Sequence, residues 1–166
     1  MESYRKKRYC SFCGTLFDEA QPFPRTCSHC SNITYVNPLP VAVLLLPVDN
    51  GLLLIRRNIE PQKGKLALPG GFINLGESWQ TASARELFEE TGFQIDAEGI
   101  DDFRVLSAPD GTLLIFGLAQ PLSFAQLPAF APSPETSEIV ILNAPEELAF
   151  SLHTQVVEEY FKHKQK

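Results

Sequence analysis

LPGGFINLGESWQTASARELFEETGF, residues 68–93, sets a glycine pair and an isolated Glu77 ahead of Glu86, Glu89 and Glu90, which crowd into five consecutive positions. Ser78 to Thr91 reads as a helix, with Gly92 as its stop because glycine takes the left-handed conformation that ends helices at little cost. At about 100° per residue, Ala84, Leu87, Phe88 and Thr91 share one face, and the three glutamates lie within an arc of about 80–100° on the opposite side. The expectation is therefore a packing face opposed to an acidic one. A solvated acidic face is the bland reading, yet carboxylates at i, i+3 and i+4 repel by roughly 0.2–0.5 kcal/mol per pair, and Arg85 neutralises only part of that charge. Clustered hard oxygen ligands suit Mg2+ or Mn2+, which keep waters and share phosphate oxygens. Gly70 and Gly71 permit close backbone approach, so a glycine carbonyl can join the metal shell. Loop and helix then form one site.

Upstream, VAVLLLPV from Val41 reads as a buried strand, Asp49-Asn50-Gly51 as a hairpin turn and LLLIRR as the returning strand. Downstream, FRVLSA and TLLIFGLA flank the turn Pro109-Asp110-Gly111, and a Pro-rich loop from Leu127 to Pro134 leads to EIVIL, the last strand. LHTQVVEEYFKH places Val156, Val157, Tyr160 and Phe161 at helical spacing, which reads as core packing. There is no internal repeat.

All four cysteines fall in the first thirty residues, as Cys10-x-x-Cys13 and Cys27-x-x-Cys30. Two such knuckles offer four thiolates at the spacing of a tetrahedral Zn2+ site, and a complete thiolate shell makes the metal structural rather than catalytic. Two disulfides or a redox pair are the alternatives; the first needs an oxidising compartment and the second leaves one pair unused. His29 lies inside the second knuckle and reads as a surface residue. The linker Tyr35-Val-Asn-Pro-Leu-Pro40 disfavours helix and separates this module from the rest of the chain, giving residues 1–36 as a zinc ribbon with a basic arm and 37–166 as the main domain.

The chain has 166 residues, 44% hydrophobic and 20% charged, enough for one ordinary domain and a small module. No apolar run reaches membrane-spanning length and no secretory signal is visible at the N-terminus, so a cytoplasmic protein is expected. A net charge of -6 argues against a general nucleic-acid binder. The basic run Arg5 to Arg8 reads as a solvated arm.

At Gly71, Glu77 and Arg85-Glu86-Leu87-Phe88-Glu89-Glu90-Thr91-Gly92-Phe93, the segment resembles the Nudix hydrolases, whose box has glycine, five residues, glutamate, seven residues, then Arg-Glu-aliphatic-any-Glu-Glu-any-Gly-aliphatic or aromatic. Every fixed position is filled. The resemblance implies an α/β/α sandwich with a mixed sheet and attack of water on one phosphorus of a nucleoside diphosphate linked to a second group. It implies that Glu86, Glu89 and Glu90 hold Mg2+ or Mn2+, with the Gly70 carbonyl as a further ligand, and that Glu77 pairs with Arg85 to hold the Gly71 loop against the helix. General-base help is expected from Glu86, or from Glu135 or Glu138 in SPETSE, for which a polar loop is an equal reading.

The ribbon, YVNPLPVAV and LLLIRRNIEPQKGKLALPGGF are similar to the zinc-ribbon Nudix group that hydrolyses ADP-ribose, FAD or NADH. The SQPWPFP array of the NADH pyrophosphatase branch does not occur, and Leu66 stands where the family often has an aromatic residue. Pro109 lies about where ADP-ribose pyrophosphatases often carry a proline, though Pro-Asp-Gly is also a plain turn. Arg56 and Arg57 end a strand before the loop; alternation lets one of them face substrate phosphates. Phe72 and Trp79 flank the loop as candidates for ring stacking, with helix-entry packing the competing reading for Trp79. ADP-ribose or FAD is the leading substrate expectation, ahead of NADH or NAD-capped RNA and of nucleoside triphosphates. A ligand-sensing module is the non-enzymatic alternative, opposed by the intact glutamates. The ribbon is expected to brace the domain or build a homodimer interface.

Overall fold

The computed structural model describes residues 8–164. Arg5 to Lys7 of the basic arm therefore lie outside the described residues, while Arg8 pairs with Glu19 at 2.6 Å. The chain divides into two compact units, Met1–Leu39 with Pro109–Thr112, and Pro40–Ala108 with Leu113–Lys166.

In the first unit, β1 (Arg25–Thr26) and β2 (Ile33–Thr34) pair as an antiparallel hairpin. The two cysteine knuckles fold alike. Gly14 N–H donates to the Cys10 carbonyl and Ser31 N–H to the Cys27 carbonyl, both at 2.9 Å. Gly14 and Ser31 both take positive φ, 75° and 59°, which turns each knuckle back on itself. The apolar content of this unit is small, with Cys10, Phe17 and Cys27 as its buried centre. So few residues cannot support a fold without a staple.

The second unit is built on two sheets. The first places β5 (Gly51–Arg57) between β10 (Thr136–Leu142) and β4 (Pro47–Val48), with β6 (Leu66–Ala67) also on β5. The second runs β7 (Gly70–Phe72), β3 (Leu39–Leu45), β9 (Thr112–Leu118), β8 (Asp101–Ser107). Leu39 N–H donates to the Gly111 carbonyl and Ala119 N–H to the Leu45 carbonyl, so β3 and β9 run parallel while β3–β7 and β8–β9 are antiparallel. The sheet is mixed, as expected. Two turns agree with the sequence reading: Asp49 takes positive φ between β4 and β5 of the first sheet, and Asp110 Oδ1 accepts the Thr112 N–H at 3.0 Å in the β8–β9 turn. The expected pairing of VAVLLLPV with LLLIRR is corrected: only Pro47–Val48 pairs with β5, and β3 crosses to the other sheet beside β7 and β9.

Alternation along the strands decides the layers. Val43 and Leu45 of β3 with Leu52 and Leu54 of β5 pack on Val156, Val157 and Phe161 of the C-terminal helix α2 (Ser151–Lys164). Leu44, Leu46 and Leu53 join Leu87 and Phe93 on the side of α1 (Trp79–Thr91). Residues of period two thus serve two cores, and the sheets lie between two helices. No helix among the described residues is long and apolar enough to cross a membrane.

The expected split of α1 into an apolar and an acidic face is corrected. Its buried residues are Ala82, Ser83, Leu87, Glu90 and Thr91, whereas Phe88 is 48% exposed. On a helical wheel Glu90 lies within about 60° of Leu87, and Phe88 falls about 100° from Leu87 the other way. A carboxylate thus occupies the packing face and an aromatic ring the outer one. Buried Ser83 and Thr91 return their hydroxyls to the Trp79 and Leu87 carbonyls at 2.9 and 2.6 Å, so neither is left unpaired.

Candidate active site

The site begins where Leu68 and Pro69 carry the chain from β6 in one sheet to β7 in the other. Gly70 and Gly71 are required there by space. A Cβ on Gly70 would stand 2.3 Å from the Ala42 carbonyl oxygen, and one on Gly71 would stand 2.5 Å from the Glu86 carboxyl. The first contact is with backbone that cannot yield, and the second can be relieved only by moving the Glu86 carboxyl from its place.

From Gly71 the chain loops to α1, whose cap is set by local chemistry. Ser78 Oγ accepts the Thr81 N–H at 3.1 Å, and Gly92, at φ 77°, donates its N–H to the Phe88 carbonyl. Arg85 holds the loop. Its Nε and Nη2 donate to the Glu77 carboxylate at 2.9 and 3.0 Å, and Nη2 also donates to the Phe72 carbonyl at 3.0 Å. That fork keeps the Glu77 carboxyl below its usual range, chiefly through the Arg85 hydrogen bonds. Nη1 donates to Glu86 at 2.6 Å and to Glu89 at 3.1 Å.

Glu90 is 6% exposed, and its Oε2 accepts the Gly70 N–H at 3.0 Å. Burial pushes this carboxyl up to about 8, against the lowering effect of that N–H, and the charge of Glu86 adds to the rise. Glu86 is raised as well, first by burial. Glu89 is exposed. A buried carboxylate with like charges beside it is a site that a divalent cation would relieve, and oxygen donors are what Mg2+ or Mn2+ takes. The chemistry of these donors suits such an ion, although among the described residues Glu86, Glu89 and Glu90 are not drawn together as the cysteines are, and Arg85 holds Glu86 and Glu89.

Of the two late glutamates, Glu135 is the one whose charge bears on both Glu86 and Glu90. Its backbone is pinned, since Asn58 N–H donates to the Glu135 carbonyl at 2.8 Å and Ser133 Oγ accepts the Glu135 and Thr136 N–H groups. Glu138 instead accepts from Arg56 Nε at 2.6 Å. Arg56 and Arg57 diverge as alternation requires. Arg56 borders a cleft of about 400 Å³ with Lys65, Leu66, Glu146 and Glu147, while the charge of Arg57 acts on Glu90. Arg57 is oriented by its Nε bond to the Pro61 carbonyl and by the Phe150 ring, 5.1 Å away.

Phe72 is 57% exposed beside the loop. Trp79 is half-buried and packs against the α1-side core, with its ring under Gly117 of β9, so helix-entry packing accounts for it. Leu66, at the position of the family's aromatic residue, is buried in the α2-side core. Asn58, Ser133 and His153 support the site and were not singled out by sequence reasoning. They act through backbone contacts between segments distant in sequence, which leave no local spacing.

In the ribbon unit, ligand atoms of Cys10, Cys13, Cys27 and Cys30 all lie within 4.8 Å of one another. The Cys10–Cys30 and Cys13–Cys27 sulfur pairs are 3.6 Å apart. Metal–sulfur bonds of about 2.3 Å in a tetrahedron put sulfurs about 3.8 Å apart, so the cage fits Zn2+. Among the described residues no other His, Cys, Asp or Glu group draws its ligand atoms so tightly together. Backbone N–H groups of Phe12 and His29 point at Cys10 and Cys27 sulfurs, at 3.5 and 3.4 Å. His29 thus contributes its amide to the knuckle.

The NUDIX domain profile matches residues 37–159, and the chain belongs to that family. It is 32% identical over 134 residues to an ADP-ribose pyrophosphatase of Methanocaldococcus jannaschii, covering 78% of this chain and 77% of that protein. It is also 32% identical over 95 residues to the NAD-capped RNA hydrolase NudC of Edwardsiella ictaluri, covering 57% of this chain. That match spans 37% of the NudC length. A crystal structure of a NUDIX hydrolase from Nitrosomonas europaea superimposes with a TM-score of 0.78 at 27% identity, covering 95% of this chain and 92% of that one.

Proposed function

We propose that this Nudix hydrolase is a divalent-metal-dependent pyrophosphatase that cleaves ADP-ribose, or a related dinucleotide such as FAD, releasing AMP. The observation that carries the reading is the buried Glu90 carboxylate tied to Gly70, with Glu86 and Glu89 on the same helix. The relative from M. jannaschii, matched over most of both chains, supports ADP-ribose as the substrate.

Glu86, Glu89, Glu90 and the Gly70 carbonyl would hold Mg2+ or Mn2+. The ion supplies charge neutralisation at the phosphates and acidifies a bound water. Glu135, whose backbone is held by Asn58 and Ser133, would take the proton of the attacking water as a new P–O bond forms and the bridging oxygen leaves with the electron pair of the broken anhydride. Arg57 donates to phosphate oxygens, and Phe72 offers an exposed ring for stacking a base. The four cysteines would hold a structural Zn2+ that staples residues 1–36, with 37–166 as the hydrolase domain. Arg56 and Glu138 neutralise each other and serve the strand edge.

A second reading, hydrolysis of NADH or an NAD-capped RNA end, is favoured by the NudC match. A screen of ADP-ribose, FAD, NADH, NAD-capped RNA and nucleoside triphosphates with Mg2+ or Mn2+, read by phosphate release with an added phosphatase, separates them. Preferred turnover of ADP-ribose or FAD supports the proposal, and preferred turnover of NADH or capped RNA replaces it with the second reading. Tight binding of one compound without turnover of any would indicate a sensing module.

A further inference from the structure

We infer that His153 is a positioning residue for the catalytic loop, its imidazole fixing the Leu68–Pro69 crossing on which the placement of Gly70 and Gly71 depends. The inference rests on the proposed metal site. Between Ala67, which ends β6, and Gly70, which starts β7, two residues carry the chain from one sheet to the other. Pro69 has no N–H, and its carbonyl accepts from Leu44 at 2.9 Å. The Leu68 N–H is the remaining donor of the crossing. Leu68 is 2% exposed, and an unpaired N–H there would cost roughly 1–3 kcal/mol.

That donor meets His153 Nδ1 at 3.3 Å. The acceptor must be a neutral imidazole with its proton on Nε2. Its surroundings enforce this: the ring meets Phe116 and Phe150 edge-on, at 5.7 and 5.1 Å, and burial with the charge of Arg57 lowers its pKa to about 3. A second clamp lies two residues back, where Ala149 N–H donates to the Leu66 carbonyl at 2.7 Å. The first turn of α2 and the residues leading into it therefore grip the incoming chain twice, just ahead of Gly70.

A packing role alone does not call for imidazole. Elsewhere α2 fills its buried face with Val156, Val157 and Phe161, and another apolar side chain would serve as well. What imidazole adds is an acceptor at one atom. Gly70 N–H must reach Glu90, and Gly71 sits against Glu86 with no room for a methyl group, so displacement of the crossing by about 0.5 Å is enough to disturb both.

The test compares wild type with His153→Phe, which keeps an aromatic ring and removes the acceptor, and His153→Gln, which restores one. Mn2+ affinity by electron paramagnetic resonance, kcat and KM for ADP-ribose, and Tm are measured on each. The expected result is a loss of about 10- to 100-fold in Mn2+ affinity and kcat for the Phe variant, the range typical of outer-shell partners, with KM nearly unchanged and partial recovery in the Gln variant. A Phe variant with lowered Tm but wild-type Mn2+ affinity and kcat would overturn the inference. Should the Phe variant not fold, 15N NMR of the wild type decides. An Nε2–H tautomer with Leu68 and His153 resonances that shift on adding Mg2+ supports the assignment, and an Nδ1–H tautomer or no shift overturns it. Failure of the underlying site appears separately, as Mn2+ binding that Glu90→Gln leaves unchanged, and overturns the inference with it.

Discussion

The Glu90 carboxylate, inside the packing face of α1, accepts the N–H of Gly70 at 3.0 Å and so joins the helix to the first residue of the glycine pair. One oxygen is spent on this bond, which fixes the direction of the other. The neighbouring glycine makes room for Glu86. Preorganisation of the carboxylates is thus a backbone property of the loop as much as a side-chain property of the helix.

The two glycines should fail in different ways. Gly70→Ala drives a Cβ into the backbone of β3, 2.3 Å from the Ala42 oxygen, and should destabilise the fold by about 1–3 kcal/mol. Gly71→Ala meets only the movable Glu86 carboxyl, so it should keep a near-native denaturation midpoint while lowering kcat for ADP-ribose by about 10- to 100-fold. Urea unfolding alongside steady-state kinetics distinguishes the two.

Glu77→Gln replaces a forked ion pair with a neutral partner and loosens the loop between Gly71 and α1. Arg85, still bonded to Glu86 and Glu89, is then free to draw those carboxylates toward itself. Metal affinity by calorimetry should fall about 10-fold or more, and Arg85→Lys, which lacks the fork, should behave alike.

His153 sets a pH dependence of stability. Its pKa falls from 6.5 in the unfolded chain to about 3 in the fold, so the unfolded state binds the extra proton between those values. Stability from this group is present above pH 6.5 and lost as pH falls toward 3, by about 2 kcal/mol between pH 7 and pH 5. Metal-free Glu90 has the opposite sign, because its raised pKa favours the fold at low pH. The slope for His153 is therefore read as the difference between wild type and His153→Gln in chemical denaturation at the two pH values.

Much of the fold was legible because its signals are local. The strand at Val41, the Asp49 and Pro109 turns, the Gly92 stop and the α2 stripe each depend on residues within one element. The box gave the Arg85–Glu77 pair and the carboxylate cluster through fixed spacing. What sequence misplaced is the packing face of α1: hydropathy assigns Phe88 inward and Glu90 outward, yet burying Glu90 is what ties it to Gly70. A functional helix departs from the amphipathic rule where its chemistry lies. Glu135 and Glu138 share a segment and a residue type, and only strand register places Glu138 beside Arg56. His153 carried no spacing signal, since its partner is a backbone N–H 85 positions away.

The cysteine cage should bind one Zn2+ per chain, measured by inductively coupled plasma mass spectrometry on the purified protein. Cys27→Ser removes a buried member of the cage and should release the metal and unfold residues 8–36, seen as collapse of their amide dispersion by NMR. Retention of full zinc would show that these sulfurs do not hold it.

The most direct measurement is 31P NMR of ADP-ribose incubated with Mg2+ and either the wild type or Glu90→Gln. The expected result is conversion to AMP and ribose 5-phosphate by the wild type, dependent on Mg2+ and lost in a variant with an unchanged fold. Equal turnover by both proteins would contradict the role of Glu90 in the metal site, and an intact pyrophosphate with wild-type protein would contradict the proposed activity.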